Sequence, residues 1–124
     1  MQTLSVIMKL LISLLALFLV TGCSELCGND PLHGEESPDK TKLAIAFVRS
    51  CGATTGFSSH VSVIDRNGSL PNKPGNILIV DGKQPISVKW LNNSTLEVDL
   101  PIETKTYKKI DKLGEISIKY KGNT

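Results

Sequence analysis

"ISVKWLNNSTLEVDL", Ile86 to Leu100, places two alternating runs on either side of an Asn-Asn-Ser turn signal. Ile86, Val88 and Trp90 alternate with Ser87 and Lys89, and Leu96, Val98 and Leu100 alternate with Glu97 and Asp99. Side chains along a strand point to opposite faces in turn, so each run has one apolar and one polar face. Facing Trp90 with Leu96 sets Val88 against Val98, Ile86 against Leu100 and Lys89 against Glu97, and every apolar pair then falls on one side. A two-residue Asn-Asn turn would set Trp90 against Thr95 and Val88 against Glu97. Register therefore calls for an odd loop, Asn92-Asn93-Ser94.

The neighbouring segments extend this reading. "KLAIAFVR", Lys42 to Arg49, is apolar on both alternating sets, as a central strand covered on two faces would be. "HVSVID" and "NILIV" are short, β-branched and bounded by Asn67-Gly68, Pro74-Gly75 and Asp81-Gly82. "EISIKYK" alternates Ile116, Ile118 and Tyr120 with Ser117, Lys119 and Lys121. Residues 104–113 read either as a further strand or as a short helix with Tyr107, Ile110 and Leu113 on one stripe ending at Gly114. Thr104, Thr106 and Tyr107 favour the strand. The expected fold is all-β, a small antiparallel sandwich or barrel of about six or seven strands.

Three regions divide the chain: 1–22, a signal segment; 23–40, an acidic linker; and 41–124, the β domain. The chain opens with an apolar run from Leu10 to Val20, preceded by Lys9 and followed by small residues. At about 1.5 Å per residue this run covers about half of a bilayer core roughly 30 Å thick, which suits a signal peptide better than a membrane span. Met8-Lys9 directly before Leu10 forms a compact basic start by itself, and translation from Met8 is as consistent with the sequence as translation from Met1. Between Cys23 and Asp39 lie Glu25, Asp30, Glu35, Glu36 and Asp39 with Gly and Pro residues among them, the composition of a linker. From Lys40 onward basic side chains exceed acidic ones, and the whole chain carries a formal net charge of +2. With aromatics at 5% and no basic run, nucleic acid is not an expected partner.

Val20-Thr21-Gly22-Cys23 resembles the lipobox of bacterial lipoproteins. The resemblance implies cleavage before Cys23, a diacylglyceryl group on its thiol, acylation of the new amino terminus, and a domain tethered to a membrane in the cell envelope. Several acyl chains, at about 0.8 kcal/mol per buried methylene, exceed what stable anchoring needs. Ser24 after that cysteine is compatible with transfer to an outer membrane. With Cys23 given to lipid, Cys27 and Cys51 remain in an oxidising compartment, where a disulfide is expected; two free thiols, or thiols serving different partners, are the alternatives.

"SCGATTGFSSH", Ser50 to His60, holds the candidate binding residues Thr54, Thr55, Ser58 and His60. It resembles a C-G-A-T-T-x-x-S core of small, uncharacterised bacterial lipoproteins, a resemblance that implies no activity. Ser58 or Ser59 beside His60, with an Asp such as Asp65, also invites a hydrolase reading. Adjacent strand residues face opposite ways, which leaves Ser58 with His60, and there is no G-x-S-x-G elbow. The bland alternative is a loop whose hydroxyls satisfy backbone groups and whose glycines take positive φ, with His60 at a strand edge. Cys27, His33, Cys51 and His60 are zinc-type ligands, but their spacing matches no zinc motif, so no metal or other cofactor is expected. The expected function is a monomeric, lipid-anchored binding or structural module for an envelope protein or the cell wall, in the manner of an inhibitor or immunity protein. Membrane-bound lysozyme inhibitors share this format, although their loop with serine, glycine and tyrosine in series is not found here.

Overall fold

The computed structural model describes residues 2–20, 26–52, 54–100 and 103–122. A helix, α1, spans Gln2–Val20, and its residues 2–15 are exposed on every face, apolar ones such as Leu4, Leu10 and Leu15 included. Among the described residues no helix is long and apolar enough to cross a membrane. The strands that follow are β1 (Gly28–Glu36), β2 (Lys42–Ser50), β3 (Phe57–Asp65), β4 (Leu78–Asp81), β5 (Ser87–Asn92), β6 (Thr95–Leu100), β7 (Thr106–Lys109), β8 (Lys112–Leu113) and β9 (Ile116–Gly122).

They form two open sheets, β1-β2-β3-β4-β7 and β5-β6-β9-β8, so the architecture is a sandwich and not a closed barrel. The nine strands described exceed the six or seven expected because β1 and the two-residue β8 lack an apolar pattern. All pairs are antiparallel except β6 with β9, which run parallel. Between them the chain leaves for the other sheet as β7 and returns through β8, and a parallel pair requires such a crossover.

The hairpin read first from the sequence is present in the expected register: Val88 faces Val98, Lys89 faces Glu97 and Trp90 faces Leu96. Its odd residue enters differently. Asn92 pairs with Thr95 across a two-residue Asn93-Ser94 turn, and the register shifts between Trp90 and Asn92, leaving Leu91 as the extra residue of a bulge. Asn92 holds the turn by accepting hydrogen bonds from the Ser94 amide and hydroxyl at 2.9 and 3.1 Å.

Val88, Trp90, Leu96, Val98, Ile116 and Ile118 of this sheet pack on Ala44, Ala46, Val61, Val63, Leu78 and Val80 of the other, with Ile77 and Ile86 completing the core. β2 is buried on both faces from Ala44 to Val48, as its sequence requires. Its outer face carries Ile45 and Phe47, the register partners of Ser62 and His60, to which the connection 66–77 is fastened. That connection is tied down by Gly75 on His60, Asn76 on Ser62, and Asn29 on the carbonyls of Pro71 and Lys73. A Cβ at Gly75 would lie 2.7 Å from the Val61 oxygen and 3.0 Å from the Leu78 oxygen, so only glycine allows the chain to pass so close to β3. Asn76 imitates a peptide group beside it: its oxygen accepts the Val63 N–H at 2.9 Å and its amide donates to the Val63 carbonyl at 2.8 Å.

The acidic linker expected over 23–40 is corrected. From Gly28 to Glu36 it is strand β1, paired with β2 along its length and interrupted by a register shift between Pro31 and His33. Pro31 has no N–H to offer the ladder, and an edge strand with a bulge is where sheets tolerate proline. The strand is nearly all exposed, so main-chain bonds and the Cys27–Cys51 disulfide hold it in place of apolar burial. Its turn into β2 is closed by Asp39, which accepts from the Ser37 hydroxyl and from the amide and hydroxyl of Thr41. Residues 104–113 contain β7 and β8, so the strand reading holds over the helix.

Candidate functional site

The residues singled out in Ser50–His60 sit at the end of β2 and the start of β3. Between them Gly52 and Gly56 take φ of 122° and 70°, and the Thr55 hydroxyl donates to the Gly52 carbonyl at 3.1 Å, as the loop reading anticipates. Thr54 and Thr55 are exposed on this turn, while Ser58 is half-buried and His60 is 2% exposed. His60 is therefore not the strand-edge residue expected: it lies within β3, between β2 and β4, and stacks on Phe47 with ring centroids 5.0 Å apart.

Ser58 and His60 face the same side of β3, and Ser58 Oγ lies 2.7 Å from His60 Nε2. Ser59 faces the other side, where its hydroxyl donates to the Gly82 carbonyl and accepts from the Gln84 amide. Asp65 is apart from His60 and pairs with Lys42 at 2.6 Å.

The direction of the serine–histidine bond is set by a third group. The Gly75 amide donates to His60 Nδ1 at 2.8 Å, so Nδ1 carries a lone pair and the proton of the neutral ring resides on Nε2. Nε2–H accordingly donates to Ser58 Oγ. A histidine that activates a serine needs the opposite tautomer, with Nε2 as the acceptor. Burial, together with the smaller effect of the Arg49 guanidinium, lowers the His60 pKa from 6.5 to about 4. The Gly75 N–H adds to this, because a protonated ring would set two donors against each other.

Ser58 belongs to a polar row crossing four strands: Asn29 pairs with Arg49, Arg49 with Ser58 and Ser58 with Asp81. On the next strand the Tyr107 hydroxyl donates to Asp81 Oδ1 at 3.0 Å, and that bond raises the tyrosine's pKa. Arg49 is held from one side only. Its Nη1 donates to Asn29 Oδ1 at 2.8 Å and to Asn72 Oδ1 at 2.9 Å. A cleft of about 220 Å³ opens over this row, with Arg49, Thr55, Phe57, Ser58, Asp81 and Tyr107 in its wall. A larger cleft of about 610 Å³ lies on the other side of Phe57, among Leu32, Val48, Lys83 and Pro85.

The structure thus brings Thr55 and Ser58 into one cleft, leaves Thr54 on the outer turn, and buries His60 beneath as the support of Ser58. The sequence reading missed Arg49, Asp81 and Tyr107. One signal was available for the first of these. Only two arginines occur among many lysines, and Arg49 ends an otherwise apolar strand, a costly place for a charge without a purpose. Asp81 and Tyr107 are assembled by strand order alone.

The sulfurs of Cys27 and Cys51 are joined in a disulfide, which takes them out of any ligand set. Among the described residues no group of three or more His, Cys, Asp or Glu side chains is arranged to hold a metal ion. Cys23, Thr21 and Gly22 of the lipobox lie outside the described residues. No protein-family model matches the chain, and neither a curated protein nor a solved structure matches it.

Proposed function

We propose that the chain is a lipid-anchored binding module of a bacterial cell envelope, attached through Cys23 and presenting the Arg49–Ser58 cleft to a protein or cell-wall partner. The observation that carries binding over catalysis is the Gly75–His60–Ser58 chain, in which the histidine donates to the serine instead of taking its proton. Export draws support from the apolar helix α1, the segment that cleavage before Cys23 would remove, and from the disulfide four residues beyond Cys23. The module belongs on the periplasmic or outer face of its membrane, where disulfides persist.

Two experiments test this. In bacteria expressing the full chain and fed labelled palmitate, the protein takes up label and sediments with membranes, while Cys23→Ser is unlabelled and appears in the soluble fraction. Label retained by Cys23→Ser, or absent from both proteins, overturns the anchor. Mild-detergent pull-down from envelope extract recovers a partner that Arg49→Gln fails to retain. The competing hydrolase reading rests on the 2.7 Å approach of Ser58 to His60, and it requires Ser58→Ala to abolish function where the binding reading expects only weakened retention.

A further inference from the structure

We infer that the cleft over Arg49 and Ser58 is a carboxylate-binding site, suited to a singly charged carboxyl group such as the end of a peptide. The inference rests on the binding-module reading and names the chemistry of its ligand.

Three donors are available there. Asn29 and Asn72 occupy Nη1 of Arg49, and among the described residues Nε–H and Nη2–H have no hydrogen-bond partner. That free edge is the fork that matches a carboxylate with two parallel bonds. The two amides fix the guanidinium without neutralising it, since both acceptors are uncharged. The third donor follows from the tautomer of His60. Because Nε2–H supplies a hydrogen bond to Ser58 Oγ, the serine's own hydroxyl proton is not needed for that bond. It makes no other hydrogen bond among the described residues, and both Ser58 and Arg49 line the cleft. The buried histidine thus keeps its neighbour a donor.

The remaining wall sets the charge and shape of the ligand. Asp81, in the same cleft, disfavours a dianion such as phosphate, while Phe57, Ile79 and Tyr107 offer apolar surface to whatever carries the carboxyl. A volume of about 220 Å³ admits a carboxyl group and one adjoining residue.

The test uses the full chain in detergent micelles, titrated by NMR with the Arg49 Nε–H resonance as the probe. N-acetylglycylglycine shifts this resonance to saturation, whereas its C-terminal amide and inorganic phosphate do not. Acetate distinguishes the sources: equal affinity assigns the site to free small carboxylates, and weaker affinity assigns it to a peptide terminus. Arg49→Gln, followed through the Ser58 amide resonance in place of the lost Nε–H, weakens binding by about tenfold or more, in line with the loss of charge-assisted hydrogen bonds. Asp81→Asn tightens it by several-fold, a gain that misfolding cannot produce, and Tyr107 can still donate to the asparagine oxygen. Equal binding of the amide or of phosphate, or an unchanged affinity in Asp81→Asn, overturns the inference. If Cys23 still takes label in cells while no carboxylate binds, the anchored reading stands and this assignment alone fails.

Discussion

The indole Nε1–H of Trp90 donates to the main-chain carbonyl of Glu35 at 2.8 Å, joining the second sheet to the edge strand of the first. Glu35 is the register partner of Ala44, and the small side chains of Ala44 and Ala46 occupy the inner face of the first sheet between the two. One side chain therefore fills the core and secures the strand that has no apolar face of its own. Trp90→Phe keeps most of the burial and loses the hydrogen bond, at a cost of about 1 kcal/mol, while Trp90→Ala costs about 3–5 kcal/mol. Lys89→Thr, on the solvent side of the same strand, leaves the urea midpoint within experimental scatter. A comparable loss at Lys89 would contradict the register.

Breaking the disulfide releases the same strand from its other end. The bond links residues 24 apart. By the chain-entropy argument a loop of that size contributes about 3 kcal/mol. Cys27→Ala with Cys51→Ala, or reduction of the native protein, lowers the urea midpoint accordingly, and hydrogen exchange in the reduced protein quickens first in β1.

Acid should weaken the fold through His60 before it does so through the carboxylates. The ring titrates at about 4 in the folded chain against 6.5 when unfolded. Between those values the unfolded state binds the extra proton, so stability falls as pH drops from about 6.5 to about 4. Above that window this group has no effect. The full loss is of order 3 kcal/mol by linkage, as an upper figure. Asp39 is held below 3.8 by hydrogen bonds from Ser37 and Thr41, and Asp65 by Lys42, so their contributions are lost only at still lower pH. Urea unfolding at pH 7, 5.5 and 4.5 should show the slope, and His60→Gln should flatten it. A slope that survives the substitution belongs to another group.

Gly75→Ala tests the close approach of the 66–77 connection. The added methyl meets backbone oxygens of Val61 and Leu78, which cannot swing aside as a flexible side chain would. A cost of about 1–3 kcal/mol is expected from such overpacking. The same change should disturb His60, readable as loss of the Nε2–H tautomer in nitrogen-15 spectra.

Lys40 is the non-glycine residue at positive φ among those described, at 60° in the turn from β1 to β2. Lys40→Gly relieves that conformation and should raise stability by about 0.5 kcal/mol in thermal melts. A decrease would mean that the lysine side chain contributes more than its backbone costs.

The hairpin from Ile86 to Leu100 was legible because burial on one face leaves only one register in which the apolar residues agree. The bulge at Leu91 was not, since a three-residue loop and a bulged two-residue turn satisfy the same alternation. Strand β1 was hidden for a different reason. Asn29, His33 and Glu35 show no apolar period, and the strand forms because β2 offers a free edge and Cys51 a covalent hold. The candidate site was half legible. Thr55 and Ser58 stand in an unusual local run, but Asp81 and Tyr107 arrive from strands whose order the sequence does not encode locally, and the role of His60 depends on Gly75, fifteen residues away.

The position of the disulfide also has a mechanical meaning. A pull on the amino-terminal side of Cys27 would, without it, unzip β1 from β2 one hydrogen bond at a time, beginning at the pair Gly28 and Ser50. Because Cys27 is bonded to Cys51, tension bypasses that edge and enters at the end of β2, the strand buried on both faces. If the chain is tethered as proposed, a pull from the anchor would thus grip the domain by the strand buried on both faces and not peel it from its exposed edge.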